Sequence, residues 1–340
     1  MAEKLDYAHL GFAYHVPEKR YVSNYRNGAW DKGCLSEDSN VVLNESAGIL
    51  QYCQQVFEGM KAYRWKDGSV VCFRPDLNAE RMFQSAAFLE MPSFPVERFL
   101  SALDEVVRAN ADSVPPYETG ASLYIRPYLF ASGIVIGVQP AEEYQFRIFT
   151  TPVGPYFKGG ATPIALMVSD FDRAAPHGTG AVKAGLNYAM SLHSHEIAKK
   201  KGFAENIYLD AAKREFVEET GGANILFVDR EGQLVVPKSD SILPSITRKS
   251  LIYVAKEMLH IPVVERQVRF AEVPDFVECG LCGTAAVISP VGKIVDHDRE
   301  ILFPSGMEKP GKITAKLYET LSGIQNGEIP APEGWIRKIL

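Results

Sequence analysis

A stretch dense in glycine and proline, TPVGPYFKGGATP from Thr151 to Pro163, interrupts the chain near its middle. Glycine and proline at that density break helices and strands alike, so the stretch reads as a linker. The chain has 340 residues, a length that favours two domains over one. Before the break, YVSNYRNGAWDKG reads as a hairpin turning at Asn27-Gly28, a pair that accepts positive φ cheaply. GSVVCFRP reads as a strand ending at Pro75, after which Asn78 can cap a helix from Ala79 to Glu90. VERFLSALDEVVRANA places Phe99, Leu100, Leu103, Val106 and Val107 on one helical face. ASLYIRPYLF and YQFRIFTTPV read as strands that close the first half. After the break come a strand (IALMVSD), a helix (NYAMSLHSHEIAKKKG) and a meander of strands ending in QLVVP. A helix capped by Ser245, the strand TAAVISPVGKIV and the helix KITAKLYETLSGIQNG complete the chain. Strands and helices mix without strict alternation, which suits an α+β or mixed α/β fold better than a doubly wound parallel sheet.

Composition removes several functional classes. The hydrophobic share of 46% and charged share of 23% are those of an ordinary globular chain. The net charge of −6 comes with no dense basic cluster, which argues against a nucleic-acid surface. No apolar run approaches the ~20 residues of a membrane helix. The start, MAEKLDYAHLGF, lacks the apolar centre of a signal peptide. Five cysteines in a chain this long are no disulfide framework and agree with a reducing compartment. The expectation is a cytoplasmic protein.

The stretch HGTGAVKAGLNYAM, His177 to Met190, carries the chemistry. Gly178-Thr179-Gly180 suggests a phosphate loop, but a dinucleotide fingerprint wants glycine where Lys183 stands. A P-loop wants Ser or Thr after the lysine, and Lys183 is followed by Ala184. The ordinary alternative is a flexible turn with a surface lysine. Against it, Ala181, Val182 and Ala184 would desolvate the ammonium and lower its pKa. A neutral amine is what Schiff-base chemistry requires. Gly180 and Gly185 leave room for a flat group, and Tyr188 places a phenol close by.

A Schiff-base lysine suggests pyridoxal phosphate, which also needs an acid for its ring nitrogen and donors for its phosphate. Glu218 or Glu219, in VEETGGAN, could supply the acid. In LPSITRK a helix begins at Ile246 and Thr247, and its free N–H groups can hold an anion. CGTAAV adds a second Gly-Thr turn. Each has a plain reading too: solvated glutamates, a normal helix start, a normal turn.

FEGMKAYR, FRPDLNAERM, LYIRP, RAAPHGTGAVKAGLNYA, ILPSITR and GTAAVISPVG occur in that order along nearly the whole chain. Together they resemble the branched-chain amino-acid aminotransferases, pyridoxal phosphate enzymes of fold type IV. The resemblance implies a small N-terminal α/β domain (1–151), an interdomain loop (152–164) and a large C-terminal domain (165–340), with the cofactor between the domains of a homodimer. It implies ping-pong transamination of L-leucine, L-isoleucine and L-valine with 2-oxoglutarate. By the same resemblance Lys183 is the catalytic Schiff-base lysine and proton shuttle. Glu219 rather than Glu218 pairs with the ring nitrogen, and Tyr188 with the ring oxygen. Arg81, rather than Arg74, binds the phosphate with Ile246, Thr247 and Thr284. Tyr52 and Phe57 wall the pocket, part of which comes from the partner subunit. Thr284 and Ala285 offer N–H groups to the substrate carboxylate. Tyr124 and Arg126 serve the space shared by an aliphatic chain and a second carboxylate, and Tyr156 closes over the substrate. No metal is implied.

Two departures stand out. Val153 occupies a position where some relatives have Trp, and Ala286 and Ser289 replace a redox cysteine pair. Cys279 and Cys282 instead precede the Gly-Thr turn and read as plain thiols, with too few companions for zinc. D-amino acid aminotransferases and aminodeoxychorismate lyases share the lysine and the glutamate and form the competing expectation. In another class stands a cofactor-binding regulator without turnover, against which Lys183, Tyr188 and Glu219 argue jointly.

Overall fold

The computed structural model describes residues 5–7, 10–154 and 162–340. Tyr156 lies outside the described residues. The chain groups into two compact units: Met1–Tyr156 with Val182–Leu186 and Ile324–Leu340, and Phe157–Ala181 with Asn187–Gly323.

The first unit contains β1 (Arg20–Arg26), β2 (Ala29–Trp30), β3 (Cys34–Ser36), α1 (Gly48–Tyr52), β4 (Gln55–Phe57), β5 (Met60–Arg64) and β6 (Val70–Phe73). Next come α2 (Pro75–Phe88), α3 (Val96–Ala109), β7 (Ser122–Ala131) and β8 (Tyr144–Val153). The β1–β2 turn falls at Asn27-Gly28, both with positive φ, as the pair predicts. β7 and β8 pair along their whole length, from Ser122↔Val153 to Ala131↔Tyr144. All five apolar positions expected on α3 are buried, and Phe99 meets Phe146 at the sheet. The second helix corrects the expectation. It begins at Pro75 rather than after Asn78, because proline suits the first helical position. Asn78 is buried inside α2 and its amide donates to Glu58.

The second unit contains β9 (Ile164–Val168), most of α4 (Gly185–Lys200), β10 (Glu205–Leu209), β11 (Val217–Thr220), β12 (Asn224–Val228) and β13 (Leu234–Pro237). α5 (Ile246–Tyr253), β14 (Val263–Arg266), β15 (Glu278–Gly283), β16 (Val287–Asp296), β17 (Arg299–Leu302) and most of α6 (Lys312–Gln325) follow. β9 runs parallel to both β10 and β16, whereas β15 pairs antiparallel with both β12 and β16. The sheet is therefore mixed, and its core is built on Ile207, Ile225, Phe227, Leu281 and Ile294.

Two segments return to the first unit, so the grouping is not a simple cut into 1–151 and 165–340. β18 (Ile336–Lys338) pairs antiparallel with β6, matching Ile336 to Phe73. The Val182–Leu186 segment adds to β4 through an antiparallel bridge, Val56↔Ala184.

Candidate active site

The first unit holds Lys183 on strand-like backbone. The Phe57 N–H donates to the Lys183 carbonyl at 3.1 Å, and the Lys183 N–H donates to Ser85 Oγ at 3.2 Å. A Cβ at Gly185 would displace the end of the Gln55 side chain. Lys183 Nζ lies 4.8 Å from the centre of the Phe57 ring, and the Arg126 guanidinium lies at the same distance from that ring. Arg126 Nη2 donates to the Tyr124 hydroxyl at 2.8 Å. Tyr124 comes this close because Gly59 has no side chain to obstruct its hydroxyl. Lys61 is the cross-strand partner of Tyr124, so the two side chains share a face, and burial pushes its amine down to about 8. Phe12 packs edge-on to Tyr124. Tyr52 is engaged elsewhere, its hydroxyl donating to the Ile136 carbonyl.

Arg81, on α2, is gripped along one edge. Its Nε and Nη2 donate to the two oxygens of Glu58, each at 2.7 Å, and Asn78 Nδ2 donates to Oε2 of the same carboxylate at 2.7 Å. Glu58 has no exposed surface. A buried carboxylate is tolerable only with such partners. Arg74 is used differently: it precedes α2 in the left-handed region and stacks on Trp335.

In the second unit β11 separates the two glutamates, because successive strand residues face opposite ways. Glu219 Oε1 forms an ion pair with Arg173 Nη2 at 2.7 Å and accepts from the Leu243 N–H at 2.8 Å. Its Oε2 accepts from Asn224 Nδ2 at 2.6 Å. Burial raises the Glu219 carboxyl, while Arg173, the Leu243 N–H and Arg248 pull against it. Glu218 accepts from Ser239 and faces an open pocket of about 430 Å³ shared with Asp210, Lys238 and Asp240.

Tyr188 is half-buried near the start of α4, beside Asn187, which is buried and exchanges two hydrogen bonds with Thr179. Gly180 is pressed against the Ser241 carbonyl, so this glycine serves packing rather than a nucleotide loop. Ile246 and Thr247 are buried at the start of α5, where Ser245 Oγ accepts the Arg248 N–H. Thr284 and Ala285 form the turn between β15 and β16. Val287, the residue that ends this turn, has φ 64°. A β-branched residue held there costs of order 1–3 kcal/mol, strain that clusters at working sites.

Glu58, Arg173, Asn224 and Phe12 were not singled out from sequence. Two signals existed: Glu58 is the only acid in FEGMKAYR, and Arg173 is the only charge in RAAPHGTG.

Residues 55–294 match the family model for class IV amino-transferases, and the chain belongs to that family. It is 48% identical to the branched-chain-amino-acid aminotransferase of Haemophilus influenzae, over 98% of this chain and 99% of that one. Among solved structures, the Escherichia coli branched-chain amino acid aminotransferase matches with a TM-score of 0.79 at 28% identity, over 95% of this chain and 100% of that one. The branched-chain amino acid aminotransferase from Thermobaculum terrenum, in its PLP-form, matches at 0.78 and 25%, over 95% and 99%. The family and the mixed α/β fold expected from the motifs are those found.

Proposed function

We infer that the protein is a branched-chain amino-acid aminotransferase. It moves the amino group of L-leucine, L-isoleucine or L-valine to 2-oxoglutarate by a ping-pong route, giving branched 2-oxo acids and L-glutamate. The full-length identity to a branched-chain enzyme carries this reading and disfavours a D-amino acid aminotransferase or aminodeoxychorismate lyase.

The residues present fit pyridoxal phosphate by their chemistry: one amine whose backbone is hydrogen-bonded on both sides, one buried anion with converging donors, and one guanidinium held by its edge. When bound, that cofactor supplies an electron sink for the substrate's α-carbon. Lys183 is then its covalent anchor and carries the proton at that carbon. Glu219 holds a proton at the ring nitrogen, and Tyr188 donates to the ring oxygen. Arg81, fixed by Glu58, binds the phosphate with the first N–H groups of α5 at Ile246 and Thr247 and with Thr284. Thr284 and Ala285 give N–H groups to the substrate carboxylate.

The pocket must take leucine and glutamate in turn. Phe57 and Tyr124 offer an apolar wall, and Arg126 offers a cation for the second carboxylate. With leucine bound, Arg126 Nε and Nη2 keep the Tyr124 hydroxyl as acceptor, at 3.3 and 2.8 Å here.

We extend the reading to a cytoplasmic homodimer. Val42, Leu50, Tyr52, Ile134, Ile136 and Val138 are exposed apolar residues on two segments tied by Val135 N–H to Ser46 O and Gly48 N–H to Gly133 O. Such a contiguous apolar patch suits coverage by a second copy of the chain.

The test is a coupled assay of the cofactor-loaded protein. Glutamate should form from L-leucine and 2-oxoglutarate and not from D-alanine and 2-oxoglutarate. The reverse preference sinks the reading.

A further inference from the structure

We propose that Arg173 is a positioning residue for the transamination inferred above: it keeps Glu219 an oriented anion, so that the proton shared with the cofactor resides on the ring nitrogen rather than on the carboxyl.

Arg173 lies in the irregular segment after β9 and is 6% exposed. Its Nη2 donates to the Gly180 carbonyl at 2.9 Å and to the Ser241 carbonyl, and lies 2.7 Å from Glu219 Oε1 as an ion pair. Its Nε is buried and has no hydrogen-bond partner among the described residues. The two N–H bonds of Nη2 go to backbone carbonyls while the buried Nε–H stays unmade, and the same nitrogen rests against Glu219. The placement favours proximity of the positive charge to Glu219 over complete hydrogen bonding.

The Glu219 carboxylate is aimed as well as charged. Arg173 and the Leu243 N–H hold Oε1, and Asn224 holds Oε2. The groups that act on it electrostatically are Arg173, Arg248 on α5, Glu218 on the opposite face of its own strand, and Cys282 on β15. Of the charges opposing protonation, Arg173 contributes most.

Consider one proton between this carboxylate and a pyridine nitrogen. Either the Glu219 O–H bond is intact and both groups are neutral, or it is broken, the N–H bond is formed, and the pair is an anion beside a cation. No electron leaves the pair in either direction. A fixed cation in contact with the carboxylate stabilises the anion more than it repels a positive charge on the far side, because Coulomb energy falls with distance. Arg173 therefore biases the proton toward the ring, where an electron sink needs it. Glu218, on the other face of β11, makes no ion pair among the described residues and feels Arg173 only at longer range.

The experiment uses the cofactor-loaded enzyme, with pyridoxal phosphate isotope-labelled at the ring nitrogen and observed by NMR. The parent protein should show a protonated ring nitrogen. Arg173→Gln keeps an N–H donor for the carbonyls of Gly180 and Ser241 but removes the charge. Its ring-nitrogen signal should move toward that of unprotonated pyridine. The leucine half-reaction should slow by about tenfold or more with little change in KM, the scale of one lost charge-assisted interaction. Arg173→Lys should retain the protonated signal. In a Glu219→Gln background, Arg173→Gln should change the signal no further. A folded Arg173→Gln enzyme with a ring nitrogen as protonated as the parent's overturns the proposal. So does an equal effect in both backgrounds, which would mark Arg173 as a loop clamp. If Arg173→Gln does not fold, the lysine variant decides: loss of the protonated signal in a folded Arg173→Lys enzyme contradicts a role for the charge. A parent protein in which pyridoxal phosphate forms no adduct at Lys183 removes the functional reading itself, and that result is distinct from all of these.

Discussion

Two amines compete for the role of catalytic lysine, and their surroundings separate them. Lys61 projects from the middle of β5 and is held near 8 by burial, and its backbone belongs to the sheet ladder. Lys183 rides on a short segment bridged to β4, its Nζ over the Phe57 ring. Lys183→Ala should lower turnover by about a thousandfold, within the range that positioned acid–base groups contribute. Substantial steady-state activity in that variant would shift the assignment to Lys61. For the glutamates, Glu219→Gln should lose far more turnover than cofactor affinity, and Glu218→Gln should be mild. The reverse ranking would mean that the pair is misassigned. Arg126→Met should weaken the half-reaction with glutamate by at least about tenfold and the leucine half-reaction much less, since only glutamate presents a second carboxylate. Equal losses would show that Arg126 braces Tyr124 instead of recognising substrate. Lys183 could be singled out from its neighbours in sequence because Ala181, Val182 and Ala184 make an isolated charge conspicuous. Glu58 is the only acid of its motif, but its role is not legible there, because it depends on Arg81 and Asn78, which reach it from α2 only once β4, β5 and α2 are packed.

At the scale of elements, β15 decides the fate of two thiols. It is a regular strand paired on both sides through Cys279 and Cys282, with no turn at Gly280-Leu281. Residues three apart on such a strand point to opposite faces and cannot bridge. Both thiols are buried, with Cys279 pushed well up and Cys282 to about 12. In the folded protein a thiol reagent should modify Cys34 and Cys53, which are exposed, and spare Cys72, Cys279 and Cys282. Peroxide inactivation that reverses with thiol and vanishes in Cys279→Ser would refute this. Glu278, at the start of β15, accepts the Ile313 and Thr314 N–H groups at 3.0 and 2.8 Å and so satisfies the first turn of α6. Glu278→Ala should cost roughly 1–3 kcal/mol in denaturant unfolding, with activity per folded molecule retained. Helix α3 and the β1–β2 turn were readable from sequence because periodicity and Asn-Gly act locally. The start of α2 was misread because Asn78 resembles a cap, yet its amide is claimed by Glu58.

For the whole molecule, the chain returns to its first unit at the end, through β18 on β6 and Trp335 against Phe73. Nothing in APEGWIRKIL announces that partner, since strand pairing at long separation leaves no local signal. The resemblance of the motifs supplied the family, whereas the residues that orient Arg81 and Glu219 emerged only from three-dimensional packing. On this reading one chain runs both halves of an exchange between L-branched substrates and 2-oxoglutarate. The most direct measurement is the visible spectrum of the cofactor-loaded protein, free of any oxo acid, as L-leucine and then 2-oxoglutarate are added. Leucine alone should convert the spectrum, 2-oxoglutarate should restore it, and D-alanine in place of leucine should leave it unchanged. Failure to form any chromophore after reconstitution, or conversion by D-alanine and not by L-leucine, would contradict this reading.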